Sequence, residues 1–122
     1  MCIRDSRYAD YLGDLVEVPA LAGGATSSWA QYTVKLPAGS NRDAVMAHLK
    51  DHGVPSAIYY PVPMHRQPPY QRFPVSGCGL PVTADLCARV LALPMHPYLE
   101  DAQQRQVADA MKDALAAGSG GA

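Results

Sequence analysis

Between residues 28 and 36, in SWAQYTVKL, the residues Ala30, Tyr32, Val34 and Leu36 alternate with Gln31, Thr33 and Lys35. A period of two predicts a strand with one packed and one wet face. After the turn PAGS the period lengthens. Val45, Met46 and Leu49 form the apolar stripe of a helix, with Ser40 as its cap, Asp43 in its first turn and Gly53 at its end. SAIYY, residues 56–60, predicts a short strand, and Pro61 to Pro81 an irregular, proline-rich stretch. Thr83 is then expected to cap a helix that carries Leu86, Cys87, Val90 and Leu91 and stops at Pro94. Val107, Ala110, Met111, Ala114 and Leu115 recur at the spacing of a terminal amphipathic helix. Tyr8, Leu12 and Leu15 are spaced as in a helix too, with no capping residue ahead of them. Strands and helices alternating over so short a chain predict an α/β fold, a small two-layer α/β sandwich in which helices cover a short sheet.

Both ends read as peripheral. MCIRDS has no apolar periodicity and joins directly to a helix, so residues 1–6 are expected to be a non-native start. The domain is placed at 7–116, followed by a disordered tail at 117–122.

Composition narrows the classes of partner. A chain of 122 residues, 48% apolar, fits one domain. Ten basic and eleven acidic residues give a net charge of -1 without a basic run, so neither nucleic acid nor a membrane surface is an expected partner. Cys2, Cys78 and Cys87 lack metal or disulfide spacing, and no long apolar run precedes a cleavage-like site. A reducing cytoplasm is the expected location.

Candidate chemistry is sparse. His48 and His52, four apart on one helix, could face a single ion, with His65 or His96 completing a site. Yet HLKDH lacks a zincin glutamate, such pairs are common on solvated helix faces, and His52 suits a helix C-terminus through the dipole. No metal is expected. In SGCGLP no Lys-Ser or Lys-Thr follows the glycines, so that stretch reads as a plain loop. Cys87 falls on an apolar stripe as a small buried thiol, and Cys78 has no activating neighbour. Lys35 lies on a wet strand face, Lys50 beside Asp51, and Lys112 on the exposed side of the last helix, so none is a desolvated amine. No catalytic residue is assigned. In IYYPVPMHRQ, residues 58–67, Pro61 and Pro63 would hold Tyr59, Tyr60 and His65 in nearly fixed directions. That is a binding wall, or a strand ending in a rigid turn.

The order of segments adds a resemblance. SSWAQYTVKLP, NRDAVMAHLKDHGVPSAIYYPVPMHRQPPYQRF, LPVTADLCARVLALPMHPYL and QQRQVADAM resemble, in this order, the C-terminal small domain of DegT/StrS-like sugar aminotransferases, from Arg7 to Leu115. Tyr60-Pro61-x-Pro63-x-His65-x-Gln67 and Leu91-x-Leu93-Pro94-x-His96-Pro97 are its most specific pieces. The resemblance implies a fold-type-I enzyme in which pyridoxal phosphate moves an amino group, usually from glutamate, onto a keto group of a nucleotide-linked sugar. It also implies a homodimer, a cofactor held by a large domain outside this chain, and a fragment inactive alone. Tyr59, Tyr60, His65 and Gln67 would be substrate-binding, with no cofactor-binding residue here. His96 would be structural, bonded to a nearby carbonyl, and Trp29 would pack at the domain edge. Some positions depart from the family pattern: Thr83-Ala84 precedes Asp85 where a small residue and then glutamate are usual, and Ala92 replaces a serine. Glu100 replaces a threonine cap, at about 1 kcal/mol unless a neighbour takes over. The other reading is a self-sufficient binding or regulatory module that kept the small-domain fold.

Overall fold

Two four-residue strands, β1 (Tyr32–Lys35) and β2 (Val90–Leu93), pair antiparallel, with Tyr32 opposite Leu93 and Val34 opposite Leu91. The structure is a computed structural model and describes residues 3–77, 79–96 and 98–119. Among the described residues four α-helices accompany the strands: α1 (Ile3–Leu12), α2 (Arg42–Asp51), α3 (Pro81–Arg89) and α4 (Asp101–Ser119). This is the expected mixed sandwich. None of the described helices is long and apolar enough to cross a membrane.

The alternation in β1 sorts its side chains by face, burying Tyr32, Val34 and Leu36 and leaving Thr33 and Lys35 half-buried. Helices α1, α2 and α4 close over the packed face with Tyr8, Leu12, Val45, Leu49, Val107 and Met111. Single residues widen the ladder on both sides. Glu17 exchanges backbone bonds of 3.0 and 2.9 Å with Lys35, and Ala57 bonds of 3.2 and 2.8 Å with Ala92. SAIYY thus supplies one bridge rather than a regular strand, because Pro55 and Pro61 bracket it and have no N–H to extend the pairing.

Helix α2 begins one residue later than expected. Asn41, not Ser40, is the cap, its Oδ1 accepting the Ala44 N–H at 3.1 Å. It ends as expected at Gly53, whose φ of 74° suits glycine. There the N–H groups of Gly53 and Val54 donate to Lys50 O (3.0 Å) and Leu49 O (2.8 Å), and Val54 is buried behind the turn.

Helix α3 differs more. It starts at Pro81, so Thr83 is inside it rather than capping it, and it buries no residue. Val90 and Leu91 leave the helix for β2, where Leu91 meets Val34; sheet pairing overrides their helical spacing. Cys87 is accordingly half-buried instead of lying in the core. The freed carbonyls at the end of α3 are taken by Arg42, whose Nη1 donates to Cys87 O (2.5 Å) and Val90 O (3.2 Å).

Helix α4 buries Val107, Ala110, Met111 and Ala114 as its spacing predicts. At its start Gln103 Oε1 accepts the Glu100 N–H at 2.9 Å, which is the reciprocal half of a capping box and offsets the missing threonine. The helix runs on to Ser119, past the boundary expected at 116, and α1 already includes residues 3–6. Residues 1, 2 and 120–122 lie outside the described residues.

Polar contacts lock α1 onto both neighbours. The buried Tyr8 hydroxyl donates to Pro94 O at 2.6 Å, and its ring lies 4.9 Å from that of Tyr32. Burial, and secondarily the charge Tyr32 would carry, pushes the Tyr8 hydroxyl far above its ordinary range, so it stays a neutral donor. Asp101 accepts from Tyr11 Oη (2.5 Å) and Arg105 Nε (2.9 Å), with Arg7 Nε at 3.5 Å. The Tyr11 bond first, and then the two guanidinium groups, hold its carboxyl below the usual aspartate range.

Replacing Met111 with alanine should lower unfolding free energy by about 2–5 kcal/mol in urea titrations, whereas Val82→Ala, at a position 70% exposed, should change it by less than ~0.5 kcal/mol. Because the folded pKa of Asp101 is depressed, its contribution is present above the ordinary value of about 3.9 and is lost as pH falls through the lower folded value. Urea midpoints should therefore fall more steeply on acidification in the parent chain than in Asp101→Asn; parallel acid limbs would contradict this.

Candidate substrate-binding site

After the Ala57 bridge the chain enters a segment that satisfies its own backbone. Pro63 is buried and precedes a single turn at Met64–Arg66, and Pro68 opens a second at Pro68–Tyr70. Within them Arg66 N donates to Pro63 O (2.9 Å), Tyr70 N to Gln67 O (2.9 Å) and Phe73 N to Tyr70 O (3.1 Å). Gln67 Nε2 reaches back to Val62 O at 3.3 Å, and Gln71 Nε2 to Arg66 O at 2.7 Å. Fixed proline φ angles and these bonds leave the loop few alternatives.

On this frame Tyr59 and Tyr60 stay together, with ring centroids 6.4 Å apart in an edge-on arrangement. Tyr60 is the more exposed, at 76%. Tyr59 lines a groove of about 250 Å³ with Gln31, Ser56, Pro94 and Met95. His65 lines another of about 350 Å³, with Met64, Tyr70, Phe73, Leu80 and Thr83. Its Nδ1 is buried and has no hydrogen-bond partner. A buried ring nitrogen without a partner is uncommon. The four expected residues therefore divide: two exposed tyrosines, a histidine in a second groove, and Gln67 acting as a brace within the loop.

Tyr70 and Phe73 were not legible as site residues from the motif, although their spacing of three in PPYQRF signals a shared side of a turn. Their rings lie 6.4 Å apart, and the Arg72 guanidinium sits 5.1 Å over the Phe73 ring. His96 is exposed, and its carbonyl rather than its ring makes the described contact, accepting from Leu99 N at 3.2 Å. Trp29 is half-buried and packs on Tyr32 at 5.1 Å. Pro97 and Cys78 lie outside the described residues. Lys35 Nζ pairs with Glu17 at 2.8 Å, and Lys50 and Lys112 are exposed. None of the three is the desolvated amine that an aldehyde cofactor requires, so the lysines of this chain do not fit that group.

The model of the DegT/DnrJ/EryC1/StrS aminotransferase family matches residues 4–112. The chain belongs to this family. Among its relatives, the UDP-2-acetamido-2-deoxy-3-oxo-D-glucuronate aminotransferase of Pseudomonas aeruginosa is 35% identical over 115 residues, covering 91% of this chain and 30% of that protein. The crystal structure of a DegT/DnrJ/EryC1/StrS aminotransferase from Brucella abortus superposes with a TM-score of 0.85 at 41% identity, over 93% of this chain and 30% of that one. A structure from Streptococcus pneumoniae, in a PLP form, shares the fold at a TM-score of 0.81 and 18% identity, over 94% of this chain and 30% of that one. This DegT-family chain thus spans about 30% of the length of these relatives.

Gln67→Ala should free the Val62 carbonyl and loosen the loop, read as faster deuterium uptake at the Arg66 and Gln67 amides, with global stability lowered by no more than about 1 kcal/mol. Unchanged uptake there would show that the prolines alone hold the segment.

Proposed function

We propose that this chain is the substrate-facing C-terminal part of a pyridoxal-phosphate-dependent aminotransferase that moves an amino group, from glutamate, onto a keto group of a nucleotide-linked sugar. Family membership supports the reaction class, and the Pseudomonas relative, named for a UDP-linked keto sugar, supports the substrate class. The observation that carries the role of this chain is His65: a half-buried imidazole with an unpartnered Nδ1, set in an apolar groove on a self-braced loop.

Bound pyridoxal phosphate supplies the electron sink for the reaction, and it is held by residues outside this chain. The residues present here bind and orient. A turn of the His65 ring about its side-chain bonds lets Nδ1 exchange a hydrogen bond with a polar group of the nucleotide sugar, while the Tyr70 and Phe73 rings cover its apolar side. The Tyr59 and Tyr60 hydroxyls, both on exposed side chains, add polar contacts from the neighbouring part of the loop. Holding a substrate still in this way raises the effective concentration of its reacting carbon at the cofactor. Val62, Met64, Tyr70 and Phe73 are large apolar side chains of this loop, 43–67% exposed, which supports burial of this surface in the complete homodimeric protein. The free thiol of Cys87 suits a reducing cytoplasm.

In the full-length protein, His65→Ala and Tyr59→Phe should each raise KM for the nucleotide sugar about three- to tenfold, the loss of one hydrogen bond, while the visible absorbance of the bound cofactor stays the same. An unchanged KM in both variants would remove the substrate-facing role.

A further inference from the structure

Helix α2 ends on His48 and His52, one turn apart, with ring centroids 4.3 Å apart and planes inclined by 25°. Packing of α4 against α2 brings a carboxylate to them. One donor atom each from His48, His52 and Asp113 lies within 4.8 Å of the other two. No other three His, Cys, Asp or Glu side chains converge in this way among the described residues.

The two rings are prepared differently. His52 Nδ1 lies 2.9 Å from the His48 carbonyl; a carbonyl only accepts, so Nδ1 carries a proton, and in the neutral ring the lone pair left for a ligand is on Nε2. Anchoring the second ring nitrogen on a carbonyl is the usual arrangement of a metal-bound imidazole. His48 Nε2 is buried and has no hydrogen-bond partner. A merely solvated histidine pair would leave that atom in water, and ring stacking does not satisfy it.

We propose that His48, His52 and Asp113 form a binding site for one divalent transition-metal ion of the zinc class, joining α2 to α4. Two imidazole nitrogens and one carboxylate oxygen suit zinc, cobalt or nickel, whereas magnesium and calcium favour all-oxygen sets. Tetrahedral bonds of about 2.1 Å place donor atoms roughly 3.4 Å apart, so donor atoms up to 4.8 Å apart must close in by up to about 1.4 Å. His52 and Asp113 are exposed and can make that movement. Asp109 and Arg105 line the same groove. The arginine charge is engaged elsewhere, at 2.9 Å from Asp101 and 5.6 Å over the Tyr11 ring, while Asp109 adds negative charge. The ion would reinforce a junction already tied by Gln106 Nε2, which donates to His52 O at 3.1 Å.

The test uses the full-length protein, stripped with a chelator and titrated calorimetrically with zinc chloride and spectroscopically with cobalt chloride. Parent protein should bind one ion per chain more than the His52→Gln/Asp113→Asn double variant and should show the intense visible bands of tetrahedral cobalt. Each single variant should weaken zinc binding by about tenfold or more, and His96→Gln should not. Zinc should raise the melting temperature of the parent and not that of the double variant, whose metal-free melting temperature reports that it folds. Absence of saturable binding, half an ion per chain, or binding that survives in the double variant would overturn the proposal.

Discussion

The pairing of β1 with β2 is the constraint on which the rest of this structure depends. Everything from Leu36 to Arg89 is one excursion, closed at its neck by Leu36 N donating to Arg89 O (3.0 Å) and Arg89 Nε to Leu36 O (2.8 Å). Closing so long a loop costs chain entropy, which grows only slowly with length. The return comes from burial, because the ladder sets Tyr32, Val34, Leu91 and Leu93 beneath α1, α2 and α4. Tyr8 fastens the far end of the ladder by bonding Pro94 O.

The loop motif depends on that ladder at one residue. Ala57 takes both backbone bonds of Ala92, and from there the chain leaves into the proline-stiffened segment that carries Tyr59, Tyr60 and His65. A sheet edge with a single bridged residue lets the next residues turn outward, and buried Pro63 holds the turn against the body of the fold. Rigidity near the core and polar tips at the surface are what a positioning wall needs, and the exposed apolar side chains around it are expected of a surface that other parts of the protein cover.

Much of this was legible because one interaction type dominated locally. Alternation named β1, glycine named the end of α2, and the stripe of Val107 to Leu115 named α4. The misreadings fall where two local signals compete. VLAL fits a buried helix turn as well as a strand, and only its partner across the sheet decides. Ser40 and Asn41 are both good caps, and which one serves depends on where α2 starts its first turn. SAIYY has strand composition but is bracketed by prolines. For the site, the YPxPxHxQ pattern located the loop, yet nothing in it reveals that Tyr70, Phe73 and Leu80 would line the groove beside His65. Asp113 is further still from His48 and His52 along the chain, and only the packing of α4 on α2 unites them.

On the function proposed above, the Tyr59–Phe73 segment, hung from the Ala57–Ala92 bridge, faces the nucleotide sugar. A crystal structure of the full-length protein with a nucleotide-linked sugar bound tests it most directly. Ligand atoms should lie within hydrogen-bonding distance of His65 Nδ1 and against the Tyr70 and Phe73 rings. A ligand held wholly by residues outside this chain, with His65 turned away from it, would rule out a substrate-facing role for the segment.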